Sequence, residues 1–419
     1  MTLILRPHRG EVMVPFDLPD RRFWIPTEAE IRNATTTDEY FRNTREVLER
    51  NGIDARVVME VYTTGLPYLE PWGVVAGTYE VAKLFEGHPV NLWAMDEGQI
   101  FLSDPGRALY EPIVRIEGRY RDFAEFETAM LGFLSSFSSV TTRAARLRLA
   151  AGDRLLISFG TRRAHPALAA AIERGCYVGG FDGFSNVTGS GLLGVPASGT
   201  MPHALVQIVG DSETAWRLFD STLDRKIPRI ALVDTFCDEK TEAIRAWEVL
   251  GSDLWGVRLD TPASRRGDFR KIIEEVRWEL DIRGGTKVRI LASGRIDEAE
   301  IVRLKDLVDG FGVGTAVAYP PLIDFSAKIV EVRGDGARTF RAKRGGLGGC
   351  KEVYRLRGGL ADVVRLEGRP VPKRTTRLLR PLLNAGRFVR RYEGLPSIRS
   401  RVRRGLRRIG KGIPSLRGQ

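Results

Sequence analysis

The chain has 419 residues, of which 43% are hydrophobic and 28% charged, values typical of a globular protein of two or three domains. The formal net charge is +12, but it is unevenly distributed. Residues 373–419 hold 15 basic residues and one acidic residue, which gives this segment +14 and leaves −2 for the other 372 residues. The basic character is therefore local, and the composition does not indicate a nucleic-acid-binding protein as a whole.

Three widely spaced cysteines without a Cys-x-x-Cys motif argue against a disulfide framework and a structural zinc site. Residues 1–12 lack the long apolar segment of a signal peptide. The longest stretch without charged side chains, residues 183–210, is rich in glycine and serine and is interrupted by Pro196 and Pro202. We therefore expect a cytoplasmic protein that contacts no membrane and holds no structural metal.

Residues 1–120 combine helical and strand patterns and are predicted to form a mixed α/β domain. A helix is expected over residues 39–51, with Thr37 or Asp38 as its cap and Gly52 at its end. Apolar residues predict strands over 57–62, 91–102 and 111–118. The largely apolar residues 122–152 predict a long, buried helix.

Residues 121–330 show a βα rhythm. Short apolar runs, five of them followed by an amphipathic helix, occupy residues 155–160, 204–210, 229–235, 254–261, 287–294 and 311–317. An open doubly wound sheet and a closed barrel both fit this rhythm. Small, polar and charged residues follow the predicted strand ends, which favours an irregular α/β (TIM-like) barrel whose strand ends form one mouth.

Two segments follow the barrel. Residues 331–370 predict strands that return to complete the smaller N-terminal mixed α+β domain. Residues 371–419 form a basic tail interrupted by glycine and proline. We interpret this tail as a solvated or disordered end, in preference to a contact with nucleic acid or anionic lipid.

The mouth of the predicted barrel supplies candidates for anion binding. Ser293, Gly294, Gly312, Gly314 and Thr315 follow the last two strands. Glycine lets backbone N–H groups approach a phosphate, and a helix N-terminus favours an anion. Ordinary tight turns are the alternative for each glycine pair taken alone.

Arg162 and Arg163 directly follow the first barrel strand, where paired guanidinium groups suit a carboxylate or phosphate. A solvated pair or a structural salt bridge is the alternative. His203 lies on a loop predicted to lead into a strand and could act as a nucleophile or an acid/base group. A histidine hydrogen-bonded in the core is its alternative.

Asp234 and Asp260 each precede a threonine at a strand end. Their carboxylates could hold ribose hydroxyl groups or Mg²⁺, and helix capping is the alternative. Cys237 is expected to be a small buried residue without a basic neighbour. Tyr40 could stack on a flat heteroaromatic ligand, or it could simply be a surface residue.

Together these segments resemble nicotinate phosphoribosyltransferase, most closely its shorter archaeal and bacterial members. The resemblance covers roughly residues 15–355. It is carried by the order of TTTDEYFRNT, ETAMLGFLS, SFGTRRAHP, GFSNV, SGTMPHA, VDTF, GVRLDTP, ILASGRID and DGFGVGT.

The resemblance implies a type II phosphoribosyltransferase fold and a role in NAD salvage. It implies transfer of the phosphoribosyl group from 5-phosphoribosyl-1-pyrophosphate to nicotinate, with Mg²⁺ and with ATP hydrolysis through a phosphohistidine. His203 would carry the phosphoryl group, and His203 and Asp260 are the catalytic residues that the resemblance implies. Arg162 or Arg163 would hold the nicotinate carboxylate.

For the other substrate groups, the resemblance places four residues near the ribose and pyrophosphate: Asp234, Thr235, Arg258 and Asp260. It assigns the 5′-phosphate to the serine, glycines and threonine of the last two loops. Tyr40 would stack on the base from a neighbouring subunit, which implies a homodimer or a higher oligomer.

Several alternatives remain open. The related nicotinamide enzyme carries an aspartate where Ser185 aligns here, and a carboxylate would repel nicotinate, so Ser185 favours the acid. Asp182 lies only three residues earlier, so a shifted loop would weaken this argument. The quinolinate enzyme, which needs more basic residues for a second carboxylate, is the third choice. Only Cys350 remains of the zinc-binding cysteines that some archaeal relatives carry.

A catalytically silent relative that uses its basic tail as an adaptor is the alternative from another class. Truncation near Pro372 would separate an enzyme, which should keep its turnover, from a binder that depends on its tail. His203→Ala is expected to remove ATP coupling and leave some ATP-independent transfer.

Overall fold

The computed structural model describes residues 20–104, 106, 109–334, 338–410 and 414–418. The expectation about a signal peptide, which concerns residues 1–12, and the start of the resemblance near residue 15 lie outside the described residues.

In these residues the chain forms thirteen α-helices. They are α1 (Glu28–Arg32), α2 (Glu39–Arg50), α3 (Thr78–Phe85), α4 (Glu127–Ala151), α5 (Ala169–Gly179), α6 (Val187–Leu193), α7 (His203–Val209), α8 (Ser212–Thr222), α9 (Glu239–Leu250), α10 (Phe269–Ile282), α11 (Glu298–Leu304), α12 (Thr315–Ala318) and α13 (Leu395–Ile409).

The same residues form nineteen strands. They are β1 (Arg56–Tyr62), β2 (Trp72–Val74), β3 (Asn91–Ala94), β4 (Ile100–Leu102), β5 (Val114–Arg119), β6 (Leu155–Ser158), β7 (Gly183–Phe184), β8 (Arg229–Leu232), β9 (Leu254–Leu259), β10 (Arg289–Ala292), β11 (Gly310–Val313), β12 (Ser326–Arg333), β13 (Arg338–Phe340), β14 (Lys351–Leu356), β15 (Ala361–Leu366), β16 (Thr375–Arg377), β17 (Arg380–Asn384), β18 (Arg387–Phe388) and β19 (Ser415–Gly418).

An antiparallel sheet of seven strands, in the order β13-β12-β1-β5-β3-β17-β18, gathers three parts of the chain. It combines three strands from the N-terminal region with β12 and β13, which follow the barrel, and with β17 and β18 from the basic segment. Six of the seven residues of β1 are buried. Such a strand is covered on both faces, which explains why its sequence is nearly continuous in apolar residues.

The second large sheet is parallel and has the order β7-β6-β11-β10-β9-β8. Helices pack around it, and among the described residues its strand pairing runs from β7 to β8 without closing a ring. Phe269, Ile273, Val276 and Leu280 form the buried stripe of α10, as the helical periodicity predicts. The α/β fold with a curled, barrel-like parallel sheet is confirmed, and its mouth is the edge where the six strands end.

One predicted barrel strand is wrong. Residues 204–210 belong to helix α7 and its cap rather than to a strand, and the sixth place in the sheet is taken by the two-residue strand β7. In α7 only Val206 is fully buried, whereas Ile208 is 84% exposed. A strand inside a parallel sheet buries both faces, and a short apolar run does not distinguish it from a helix. His203 therefore begins a helix instead of preceding a strand.

The basic tail is also ordered where it is described. Strand β17 pairs with β3 in the seven-stranded sheet, and β19 pairs with β15 in a separate four-stranded sheet, β16-β14-β15-β19. Helix α13 buries Ile398, Val402 and Leu406, which lie at spacings of four residues on one face. The expectation of a solvated or disordered end is wrong for these residues, because high average charge concealed an amphipathic helix and an apolar strand.

None of the helices in the described ranges is long and apolar enough to cross a membrane.

Candidate active site

A cavity of about 450 Å³ lies at the mouth, where the strands of the parallel sheet end. It brings together nine of the residues singled out from the sequence. Its lining consists of Phe159, Arg162, Arg163, Arg258, Asp260, Ser293, Gly294, Arg295, Ile296, Asp297, Gly312, Gly314, Thr315 and Ala316.

His203 lies beside this cavity, at the first residue of α7. Its Nδ1 is 3.1 Å from the Thr235 hydroxyl oxygen, and its Nε2 is 3.8 Å from a carboxylate oxygen of Asp234 and 3.7 Å from one of Asp260. Burial lowers the pKa of His203, while Asp260 opposes that shift. The imidazole is therefore held between two carboxylates and favours its neutral form near pH 7.

Asp234 differs from the other acids of the mouth because it is deeply buried. One carboxylate oxygen accepts the Asp260 peptide N–H at 2.9 Å, and the other is buried without a hydrogen-bond partner among the described residues. Burial and the nearby Asp260 charge raise the pKa of Asp234 to about 7. A buried polar atom without a partner is costly, so this oxygen is a candidate ligand-binding atom.

Arg258 organises the floor of the cavity. Its Nη1 donates to the Ser293 hydroxyl at 2.9 Å and lies 3.2 Å from Asp260, and its Nη2 donates to the Met201 carbonyl at 3.0 Å. The Ser293 hydroxyl donates in turn to Asp260 at 2.9 Å. These contacts fix the Asp260 carboxylate toward His203.

Glycines form the wall of the cavity next to α11 and α12. Gly294 has φ +78°, a left-handed conformation that side chains disfavour, and a Cβ there would lie 3.0 Å from Asp260. A Cβ on Gly312 would collide with the Phe159 ring. Both positions therefore need glycine, and their backbone lies open toward the cavity.

Two arginines in this wall were missed by the sequence reasoning. Arg295 lines the cavity, and Arg266 donates to the carbonyl groups of Ser293 and Gly294 at 2.9 and 2.6 Å. Arg295 directly follows the predicted Ser293–Gly294 pair, so its position carried a usable signal. Arg266 lies in the preceding loop, and no local pattern points to it.

Arg162 and Arg163 are exposed residues of a short 3₁₀ helix after β6, and both line the cavity. Within the part of the chain that the structure describes, neither guanidinium has a hydrogen-bond or ion-pair partner. Such groups are free to bind an anionic ligand.

Ser185 and Asp182 lie at opposite ends of β7. Ser185 follows the strand at the mouth, whereas Asp182 precedes it at the other edge of the sheet. There Asp182 accepts the Leu156 peptide N–H at 3.1 Å and pairs with Arg148 and Arg399. Asp182 is thus occupied in the fold, and Ser185 is the residue of this loop that reaches the mouth.

Tyr40 is not part of the cavity. It lies on α2, is 58% exposed and contacts the Phe41 ring.

The prediction that Cys237 is buried and has no basic neighbour is wrong, because its side chain is exposed and lies 3.8 Å from the Arg245 guanidinium. Cys237 lies in the turn before α9, and this turn is at the surface. The small size and low polarity of a cysteine are therefore not sufficient to predict that it is buried.

A second acidic group, remote from this cavity, consists of Glu117, Cys350 and Glu367, whose ligand atoms lie within 4.8 Å of one another. Arg115 donates to the Cys350 sulfur at 2.6 Å, and burial raises the pKa of that thiol to about 12. A guanidinium already supplies positive charge to this group, so its chemistry is that of an ion-pair network.

Comparison with known proteins relates this geometry to characterised families. Residues 38–138 match the family model for the N-terminal domain of quinolinate phosphoribosyl transferase, and residues 140–328 match that for its C-terminal domain. The crystal structure of nicotinate-nucleotide pyrophosphorylase from Pyrococcus furiosus is similar to this chain, with a TM-score of 0.89. The two sequences are 46% identical, and the match covers 94% of this chain and 100% of that one.

The crystal structure of human nicotinic acid phosphoribosyltransferase is 22% identical, covers 89% of this chain and 94% of that one, and has a TM-score of 0.69, which supports the fold. Nicotinate phosphoribosyltransferase pncB1 of Mycobacterium tuberculosis is 30% identical over 91% of this chain and 93% of its own length. The corresponding enzyme of Bacillus subtilis is 29% identical over 76% and 72%. The mouth of the parallel sheet carries these motifs, and the similarity to pncB1 spans more than nine tenths of both chains. The chain therefore belongs to the nicotinate phosphoribosyltransferase family.

Proposed function

We propose that the protein transfers the phosphoribosyl group of 5-phosphoribosyl-1-pyrophosphate to nicotinate, forming nicotinate mononucleotide and pyrophosphate. The observation that carries this proposal is a combination of three features at one mouth. They are a glycine-lined cavity, two arginines that have no partner among the described residues, and a histidine between two carboxylates. The three free cysteines fit a reducing, cytoplasmic setting for this step of NAD salvage.

The 5′-phosphate belongs in the glycine-lined wall. Ser293 and Gly294 precede α11, Gly312 and Gly314 precede α12, and all four line the cavity, where backbone N–H groups of such glycine loops suit a phosphate. Arg295 adds a cation at the same wall. The reacting C1 of the ribose would then lie toward Asp260 and His203.

The nicotinate carboxylate belongs with Arg162 or Arg163, two exposed cations that line the cavity on the side of β6. Ser185 offers a neutral hydroxyl in the loop after β7, which does not repel an anion. Tyr40 is far too exposed for an interior role and does not line the cavity of its own chain. We propose that it covers the base in a second copy of the chain, so that the active unit is a homodimer.

The donor set fits Mg²⁺. The unpartnered oxygen of Asp234 and the carboxylate of Asp260 both lie near His203, and hard oxygen ligands are those that Mg²⁺ prefers. When bound there, Mg²⁺ would neutralise negative charge on the leaving pyrophosphate.

The chain's own residues would act by positioning and electrostatics. As the bond between ribose C1 and the pyrophosphate oxygen breaks, positive charge develops on the ribose ring, and the Asp260 carboxylate lies where it can stabilise that charge. Arg258 holds Asp260 in place. The pyridine nitrogen then forms the new bond to C1, and the electron pair of the broken bond leaves with pyrophosphate.

ATP would be consumed at His203. The neutral imidazole attacks the γ-phosphorus of ATP, the bond to ADP breaks, and water later hydrolyses the phosphohistidine. While His203 is phosphorylated, the added negative charge beside Asp234 and Asp260 changes the affinity of the mouth for cations and pyrophosphate.

His203→Ala should therefore lose the stimulation of turnover by ATP, because the imidazole that would take the phosphoryl group is gone, while slow ATP-independent transfer remains. Turnover with and without ATP measures this, alongside transfer of labelled γ-phosphate to the protein. Undiminished ATP stimulation in the variant would contradict the assignment of His203.

Quinolinate is the second candidate acceptor, favoured by the matching family models. Its second carboxylate would need a further cation, and Arg162, Arg163 and Arg295 together could supply one. The reaction would then also release CO₂.

The deciding experiment offers nicotinate, nicotinamide and quinolinate in parallel, each with 5-phosphoribosyl-1-pyrophosphate and Mg²⁺, with and without ATP. Mononucleotide and pyrophosphate are measured, together with CO₂ for quinolinate. ATP-stimulated product from nicotinate is expected. Product from quinolinate with CO₂ release, or product from nicotinamide alone, would overturn the proposal, as would folded protein that converts none of the three.

A further inference from the structure

Two buried carboxylates lie directly behind the mouth, on helices that the proposed reaction does not use. Glu173 of α5 is completely buried, and Glu242 of α9 is 1% exposed. Burying a carboxylate is costly unless hydrogen bonds compensate for it. Each of these side chains has such bonds, and in both cases the peptide N–H donors belong to a loop of the mouth.

Glu173 fastens the loop that carries Ser185. One of its carboxylate oxygens accepts the Asn186 peptide N–H at 3.0 Å, and the Asn186 side chain accepts the Gly189 peptide N–H at 2.8 Å to cap α6. Gly189 packs so closely on Glu173 that a Cβ there would lie 2.7 Å from the glutamate Cγ. The start of α6 is thus built onto this one side chain.

The second oxygen of Glu173 is buried without a hydrogen-bond partner among the described residues. Burial raises the pKa of Glu173, and the Ser158 hydroxyl and the peptide groups of Asn186 and Ser185 oppose that rise. A buried acid held at this cost, with its bonds directed at one loop, indicates that the position of the loop matters.

Glu242 fastens the loop that carries Thr235. Its two oxygens accept the peptide N–H of Thr235 at 3.1 Å, that of Phe236 at 3.3 Å and the Ser212 hydroxyl at 2.7 Å. Thr235 in turn places its hydroxyl 3.1 Å from Nδ1 of His203. A chain of contacts therefore runs from α9 to the imidazole.

We infer that Glu173 and Glu242 are positioning residues with separate tasks, Glu173 fixing the Ser185 loop for the pyridine base and Glu242 fixing Thr235 for the His203 phosphoryl cycle. This inference rests on the proposed function. The separation follows because each carboxylate accepts peptide N–H groups from one loop of the mouth only, and the two loops follow different strands, β7 and β8.

The test is a crossed comparison of Glu173→Ala and Glu242→Ala in the full chain. We expect Glu173→Ala to raise KM for nicotinate about tenfold, the effect of losing one or two hydrogen bonds, with KM for 5-phosphoribosyl-1-pyrophosphate and the ATP stimulation ratio unchanged. Glu242→Ala should lower the ATP stimulation ratio about tenfold and leave KM for nicotinate unchanged. Glu248→Ala, at an exposed position of α9, is the matched control.

Glutamine variants at the same two positions distinguish the loss of these hydrogen bonds from a loss of folding. Glutamine retains one oxygen acceptor at nearly the same size, so Glu173→Gln and Glu242→Gln should recover much of the lost function. A cycle that combines Glu173→Ala with Ser185→Ala should be non-additive in KM for nicotinate, because both changes act on one loop.

Amide hydrogen exchange gives a readout that does not need turnover. Exchange at Asn186 should accelerate in Glu173→Ala only, and exchange at Thr235 in Glu242→Ala only. Equal loss of all kinetic parameters in both variants, or exchange that accelerates everywhere, would overturn the inference and leave a general structural role. Wild-type protein that makes no nicotinate mononucleotide would refute the proposed function instead, and the exchange data would still show whether each carboxylate holds its loop.

Discussion

The two edges of the parallel sheet use the same kinds of residues in opposite ways. At the edge where the strands begin, Arg229 of β8 is buried and donates to the Asp220 carboxylate at 2.8 Å and to four carbonyl groups at 2.6–2.7 Å. At the mouth, Arg162 and Arg163 have no partner in the described ranges. The edge where the strands begin binds this buried arginine within the fold, whereas the mouth leaves Arg162 and Arg163 available to a ligand.

The aspartates repeat the contrast. Asp182, before β7, bonds a peptide N–H and two arginines, and Asp309, before β11, accepts the Ile290 peptide N–H at 2.9 Å. Asp234, after β8, keeps one buried oxygen without a partner among the described residues. Because buried polar groups are nearly always satisfied, the exceptions mark the places where a ligand completes the structure. The same residue type should therefore affect stability at one edge and activity at the other.

The largest expected effect is on stability, at the edge where the strands begin. Arg229→Met should lower the free energy of unfolding by roughly 3–5 kcal/mol, because it removes all five hydrogen bonds of a buried guanidinium. Denaturant unfolding measures this. Arg225→Met, at an exposed arginine that pairs with the same Asp220, is the control and should cost less than about 1 kcal/mol. Equal losses in both variants would erase the contrast on which the comparison depends.

The next effect is on activity, at the mouth. Asp234→Asn should lower kcat/KM by about 100-fold or more, since the removed charge faces the reacting groups, while the amide oxygen still accepts the Asp260 peptide N–H. Steady-state kinetics and thermal unfolding of the same preparation measure both quantities. Asp182→Asn is the mirror variant: it should lower the unfolding temperature and leave kcat/KM nearly unchanged. A reversed pattern would mean that the edges are wrongly assigned.

The pKa of Asp234 adds a dependence on pH. Its folded pKa of about 7 lies above the value of roughly 3.9 expected in the unfolded chain. Between these values the folded state binds the proton more tightly, so the wild type loses stability as pH rises and the loss is complete above pH 7. Asp234→Asn avoids this loss, so its stability relative to the wild type should increase from pH 4 to pH 7 and then level off. Unfolding in a metal chelator, at several pH values, measures the difference.

The sequence predicted the mouth better than it predicted what supports the mouth. Asp234, Asp260 and Ser293 could be found because polar residues directly follow apolar runs, and strand ends of a parallel sheet meet at one edge. Glu173 and Glu242 lie inside helices, where nothing local distinguishes them from surface glutamates. Their importance comes from loop peptide groups 6 to 13 residues away along the chain, and only the folded structure brings those groups to them.

Tertiary context also decided the elements that were mistaken. Residues 204–210 form a helix because the sixth position of the sheet is filled by the two-residue strand β7, which no periodicity could predict. In the basic segment, the apolar face of α13 is interleaved with arginines, so composition suggested disorder. Truncation near Pro372 is consequently an unsuitable test of the tail, because it would remove β17 from the seven-stranded sheet and the buried Ile398 and Val402 of α13.

The smallest expected effect replaces that test. Arg403, Arg404, Arg407 and Arg408 are exposed on α13 and have no ion-pair or hydrogen-bond partner in the described part of the chain. Changing all four to glutamine keeps helix propensity, so we expect the free energy of unfolding to change by less than about 0.5 kcal/mol and turnover to stay within about twofold. Arg399→Gln is the control within the same helix, because Arg399 donates to the Tyr177 carbonyl at 2.7 Å and lies 4.7 Å from the Tyr177 ring. It should cost about 1–3 kcal/mol. If the fourfold variant instead lost turnover while remaining folded, the exposed arginines would take part in the reaction. Helix α13 would then belong with the mouth as a part of the molecule that acts on substrate.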